Sequence, residues 1–323
     1  MQKRINFFFI FFFFCRNLAS VDNFENDIAL ITNQESHKLD VIDLKKKKKI
    51  DEILVGKKPA GIIVNNLNRK AFISNPGSHN VLEIDFLKKS KKFYESGPSP
   101  ISIFLTKDKT QLFASNWYDN TVSLIDLKKD KIIKKIVVGN SPAGIFVDYE
   151  NNNLFVANRE SNSVSVVDIS KLKEVKRIPV ESAPFGVFSE PYINFVFVTN
   201  VQSNSISLIH KKNLNVIKNI KVEKWPYQVA YDKENNKLYV TNQRSNSISI
   251  IGMKKKKVIG TIDDVCEYPE GIDISYNENL IIVACWFEDN IILLDLDTND
   301  LVKKILVSGG PRAFGSFILE NGK

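Results

Sequence analysis

The chain has 323 residues, 43% hydrophobic and 25% charged, with a formal net charge of +8. That composition fits a folded globular protein and excludes a disordered or collagen-like one. Three cysteines (Cys15, Cys266, Cys285), three histidines (His37, His79, His210) and no CxxC leave no ligand set for a Cys/His zinc site. The only methionines are Met1 and Met253 and there is no CxxCH, so a haem centre also lacks its usual ligands; no cofactor and no metal are expected.

At the N-terminus, Lys3 and Arg4 precede a phenylalanine-rich run over residues 7–14. A basic start followed by a short apolar stretch reads as a secretory signal peptide over residues 1–20, too short for a spanning helix. Residues 21–323 are then the mature domain, periplasmic or secreted.

Downstream, one unit of about 42 residues recurs seven times. The run closing its first half ends in Asn33, Asn75, Asn116, Asn158, Asn200, Asn242 and, in the last copy, Cys285. A proline keeps the same beat at Pro59, Pro100, Pro142, Pro184, Pro226, Pro269 and Pro311. Each unit reads as four short strands, a to d, rich in Val, Ile and Phe and punctuated by Asn, Ser, Asp and Gly. In the middle copies, strand a spans residues 144–147, b 154–157, c 164–167 and d 132–138. Such sheets are apolar on both faces, and radial packing covers both at once. The expected fold is all-β, a seven-bladed β-propeller of four-stranded blades. The chain enters the repeat at strand b (residues 28–31) and ends on a spare strand a (residues 313–318) after Pro311. Blade 1 is therefore expected to take its strand a from the C-terminus, closing the ring.

The repeated Asn, and the Asp ending strand c (Asp43, Asp85, Asp126, Asp168, Asp295), suit backbone groups at turns. Placement in nearly every copy marks them as architectural. Lysines cluster at the c–d turns: residues 45–49 and 254–257, Lys88, Lys89, Lys91, Lys92, Lys128, Lys129 and Lys131. This collar would meet nucleic acid or an acidic membrane surface. It lacks interleaved aromatics and arginines, and lysine also protects an outer edge strand from foreign pairing, the reading preferred here.

The d–a and b–c connections share one face, called the top. All three tryptophans fall there: Trp117 and Trp286 just after the Asn or Cys marker, and Trp225 just before Pro226. Arg159 also follows the marker, and Phe185, Tyr227, Glu270 and Arg312 start strand a in four blades. Aromatics and arginine are the residue types of binding hot spots, so these eight are the candidate site for a protein or small-molecule partner. In the other reading the tryptophans fill gaps between blades, and Glu270 pairs with Arg312 to close the channel. Cys266 and Cys285 meet on the same face and form a possible disulfide, two separate buried thiols being the alternative.

Tyr239-Val240-Thr241-Asn242 and the following Ser245-Asn246-Ser247-Ile248-Ser249-Ile250 resemble the YVTN β-propeller repeat, and residues 140–144 resemble the loop that precedes its copies. Departures are Cys285 for Asn, and His210 and Gly252 for the strand-c Asp. The resemblance implies an exported bacterial or archaeal propeller. Similar propellers occur in cytochrome-type nitrite reductases and quinoprotein dehydrogenase subunits, but fold alone does not carry activity. The expectation is a monomeric, non-catalytic binding or scaffold module acting through its top face. The alternative is a periplasmic enzyme or accessory subunit, redox or lactone-hydrolysing, for which Glu270 is the one carboxylate among the strand-a starts.

Overall fold

The computed structural model describes residues 25–321, so the leader read over residues 1–20 lies outside them. Seven sheets succeed one another, six antiparallel and of four strands, and one of five in which a single strand is parallel. Blade 4 shows the plan, with Pro142–Asp148, Asn153–Asn158, Ser163–Asp168 and Lys173–Pro179 paired in chain order from inside to outside. The two middle strands are almost wholly buried, as their unbroken apolar character requires, while the outermost exposes Lys173 and Lys176. Charge on the last strand blunts an otherwise open edge.

One aromatic in the second strand of each middle blade fills the seam to the next blade. Phe72, Phe113, Phe155, Phe197 and Tyr239 occupy equivalent places and are essentially inaccessible. Three sets of polar contacts hold the turns. The marker Asn accepts a hydrogen bond from a backbone N–H in the loop before the proline, as in Gly56 to Asn75 (3.1 Å), Gly97 to Asn116 (3.0 Å) and Gly139 to Asn158 (3.0 Å). The strand-c Asp accepts from the turn that follows, as with Lys46 to Asp43 and Thr298 to Asp295. His210 takes the same role with Nδ1, which accepts from Lys212 and Asn213. In the b–c loop a left-handed residue accepts from the residue before the next proline. Asn120, Asn162, Asn204, Asn246 and Asp289 do this with side-chain oxygens. His37 and His79 do it with Nδ1. All three histidines are thus turn caps.

The residue before the marker joins neighbouring blades. The Thr199 hydroxyl accepts from Gly186 N–H of its own blade (2.7 Å) and donates to the Tyr227 carbonyl of the next (3.0 Å). Thr32, Ser74, Ser115 and Thr241 bridge their seams likewise. Around the axis the inner strands come so close that a Cβ on Gly144 would lie 2.4 Å from the Phe185 carbonyl oxygen.

The C-terminal strand closes the ring, but it is split. Pro311 bridges Asn33, Phe314–Ser316 runs parallel to Gly61–Asn65 of blade 2, and only Ile318–Leu319 pairs with Ile28–Asn33 of blade 1. The expected continuous strand over residues 313–318 is therefore two short ones. The change of partner falls at Gly315, whose φ of +112° and approach to Ile62 (a Cβ would sit 2.3 Å from its carbonyl oxygen) admit no side chain. Asp273 of blade 7 accepts the freed N–H groups of Phe317 (2.9 Å) and Ile318 (3.3 Å).

Candidate functional site

The top end of the axis is shut by side chains from the first turns of the inner strands. The Phe185 and Tyr227 rings lie 4.3 Å apart, and Phe314 closes the group at 5.3 and 5.5 Å from them. Trp117 and Trp225 pack against this plug. Beside it Glu270 Oε2 lies 3.4 Å from Arg312 Nη1, and Gln243 Nε2 donates to Glu270 Oε1 at 2.6 Å. Burial pushes the Glu270 carboxyl up to about 7 despite the guanidinium. Arg312 also stands over the Phe314 and Trp286 rings, at 5.4 and 5.6 Å. The charge of Arg159 acts on the Tyr227 hydroxyl from blade 4.

All eight residues named from the sequence thus gather at one end of the axis. Phe185, Tyr227, Glu270 and Arg312 do not ring an open mouth there: they close it. The tryptophans are half-buried: Trp117 and Trp225 pack partly on the plug, and Trp286 lies against Arg312 and Phe287. Around them are Arg244, stacked 3.7 Å from the Trp225 ring, Tyr118, 74% exposed, and Phe287, 54% exposed. These three lie in the b–c loops of blades 6, 3 and 7, and Tyr118 and Phe287 directly follow Trp117 and Trp286. Cys266 and Cys285 are joined in a disulfide at the rim of this face.

The opposite end of the axis is open. A cavity of about 490 Å³ runs from the underside of the plug, at Phe185 and Phe314, to the a–b turns. Its wall combines apolar side chains, including Ile103, Phe104, Phe146, Val187, Phe188 and Ile272, with the polar Ser102, Gln228 and Asp273. At its mouth stand Tyr149, Tyr192, Tyr231 and Tyr276 from blades 4 to 7, with Glu190, Lys211 and Lys233. Tyr276 donates to the Tyr231 carbonyl (3.0 Å), and the Tyr192 and Tyr231 rings are 6.1 Å apart. Lys211, only 4% exposed, donates to the Glu190 carbonyl (2.7 Å) and lies over the Phe146 ring (5.4 Å). Burial lowers the Lys211 ammonium and raises the Glu190 carboxyl. None of these residues was singled out from the sequence. Their signal was four of nine tyrosines in or beside the a–b turns of successive blades.

The lysine-rich turns lie on this lower face. Several are neutralised locally: Lys46 by Asp43, Lys49 by Asp40 and Glu52, Lys129 by Asp126, and Lys171 by Asp168. Among the described residues no group of three or more His, Cys, Asp or Glu side chains is placed to hold a metal ion.

No family model and no curated protein matches the sequence. Solved structures do. Hydrazine synthase of Kuenenia stuttgartiensis superposes with a TM-score of 0.74 at 17% identity, covering 84% of this chain and 92% of that one. A functionally unknown protein from Desulfotomaculum acetoxidans DSM 771 gives 0.74 at 13% identity, covering 88% and 98%. The dihydro-heme d1 dehydrogenase NirN, in complex with DHE, gives 0.69 at 11% identity, covering 93% and 76%. At these identities the likeness is one of fold: the chain is a seven-bladed β-propeller similar to these three, two of them named for enzymatic activities and one of unknown function.

Proposed function

We propose that the protein is an exported, non-catalytic propeller of the YVTN kind that binds a partner protein or small ligand on its top face. The observation that carries this reading is the outward aromatic and arginine surface around the plug. It combines Trp117, Trp225 with Arg244 stacked on it, and Trp286, with exposed Tyr118 and Phe287 beside them. A plug alone has no use for exposed Tyr118 and Phe287. Rigid aromatics and arginine at the centre of a face are the residue types that dominate binding energy. The scaffold supplies the regularity, and the loops that differ from blade to blade supply the specificity. The Cys266–Cys285 disulfide supports export, since such bonds persist in oxidising compartments.

Photo-crosslinking in the producing cell tests it. A photoreactive residue at Tyr118 on the top face should give a discrete adduct, lost in Trp117→Ala and Arg159→Ala proteins that fold. The same residue at Leu87, in a c–d turn of the lower face, should give none. Adducts from Leu87 alone overturn the top-face reading.

A further inference from the structure

The open axial cavity is a second, independent feature of this molecule. We propose that it is a binding site for a small organic cation with an apolar body, an amine or quaternary ammonium, whose charged head sits at the tyrosine-lined mouth beside Glu190 and whose body fills the channel.

Three observations carry this. First, the cavity's size and wall suit an organic ligand: about 490 Å³, more apolar than polar in its lining, and floored by Phe185 and Phe314. Second, tyrosines from four successive blades stand at the mouth; Lys109 and Lys233 already lie over Tyr149 and Tyr276, and the negative faces of Tyr192 and Tyr231, the pair beside Glu190, are left to attract a cation. Third, the mouth has a carboxylate to spare. The cavity is bordered by Asp148, Glu150, Glu190, Asp273 and Glu320 against two lysines, Lys211 and Lys233. Asp148 accepts from Asn151, and Asp273 is committed to the backbone of the C-terminal strand. The Glu190 carboxylate makes no hydrogen bond and no ion pair among the described residues. Lys211 instead donates a hydrogen bond to the Glu190 backbone carbonyl, and Lys233 lies over the Tyr276 ring at 4.4 Å. Both lysines act on Glu190 only at longer range, and desolvation still outweighs them. A cation entering beside Glu190 supplies the close counter-charge that the chain itself withholds. An anionic amphiphile would instead meet an excess of carboxylates.

Calorimetry with benzyltrimethylammonium, and with 3-phenylpropionate as an anionic counterpart of similar apolar body, tests the assignment on the full mature chain. The ammonium should bind and the carboxylate should not. Glu190→Gln should weaken the ammonium by roughly tenfold and Tyr192→Ala by several-fold. Lys303→Ala, on the outer strand of blade 7, should leave it unchanged. Because Glu190→Gln alters a loop packed between blades, Ser316→Phe gives a second reading. Ser316 borders the cavity from the C-terminal strand, and a ring there should abolish binding by filling the channel. No heat from the ammonium at millimolar concentration, preference for the carboxylate, or full affinity in folded Glu190→Gln or Ser316→Phe protein would each overturn the proposal.

Discussion

Cys266 and Cys285 stand where Gly139 and Asn158 meet in blade 4. In blades 2, 3 and 4 the loop glycine gives its N–H to the marker asparagine. Where the glycine becomes Glu181, Glu223 or Ser308, the carboxamide oxygens of Asn200, Asn242 and Asn33 find no partner. In blade 7 both members of the pair change, and a disulfide of sequence separation 19 replaces the hydrogen bond. A covalent tie does the work of a clamp, and it holds the loop that carries Glu267, Tyr268 and Glu270 toward the top face. Cys285→Ala should lower stability by about 3 kcal/mol in the chain-entropy picture of a loop this short. The pair Cys266→Gly with Cys285→Asn should recover about 1 kcal/mol by restoring the hydrogen bond. Denaturant titration measures both. Wild-type protein whose midpoint ignores reducing agent would contradict the tie.

The hydroxyl before the marker makes a sharper test of how blades adhere. Thr199→Val keeps shape but removes an acceptor for Gly186 N–H and a donor to the Tyr227 carbonyl, and should cost about 1–3 kcal/mol. Two seams lack the hydroxyl, because Ala157 and Ala284 stand in its place. Ala157→Ser puts one back between blades 4 and 5 and should raise the unfolding midpoint, by about 1 kcal/mol in stability. A Thr199→Val protein as stable as the parent would remove the hydroxyl from the account of the seams.

The ring's closure rests on the C-terminal residues. Phe314, Phe317, Ile318 and Leu319 are buried, each worth about 1.5–3 kcal/mol. Ending the chain before Pro311 also leaves the inner edges of blades 1 and 2 unpaired. The truncated protein should aggregate or melt far below the parent, and light scattering with a thermal melt decides it. A truncated monomer melting like the full chain would mean that the ring closes without its latch.

Much of this was readable before any coordinates. The beat of Asn33 to Cys285 and of Pro59 to Pro311 marks seven blades, because identical contacts recur at identical steps. What repeats by geometry rather than by residue type was harder to read. His37 and His79 fill the same cap as Asn120 and Asp289, since an imidazole nitrogen accepts a hydrogen bond as a carboxamide or carboxylate oxygen does. The change of partner at Gly315 depends on how closely two inner strands approach. The gathering of the eight top-face residues followed from loop topology alone. That Phe185 and Tyr227 meet across the axis, leaving the cavity beneath them, depends on side-chain length against ring diameter. No residue spacing reports that quantity.

The latch also makes stability depend on pH. Burial pushes the Asp273 carboxyl up to about 7, outweighing the N–H donors of Phe317, Ile274 and Ile318. In the unfolded chain an aspartate titrates near about 3.9. Between those values the folded protein holds a proton that the unfolded chain has released. Stability should therefore fall as pH rises from about 4 to about 7 and level off above. Glu270, raised to about 7 by burial beside Arg312, adds a slope of the same sign. Glu52 and Asp108, lowered to about 2 by their hydrogen-bond donors, contribute stability that is lost only as pH falls below the ordinary carboxylate range, outside this window. Asp273→Asn keeps a carbonyl oxygen able to accept from Phe317 and Ile318 and cannot titrate. It should flatten part of the slope, and Glu270→Gln another part. Urea midpoints taken from pH 5 to pH 8 on the three proteins measure this. A parent protein that gains stability over that range, or an Asp273→Asn variant that keeps the full parental slope, would remove Asp273 as the source.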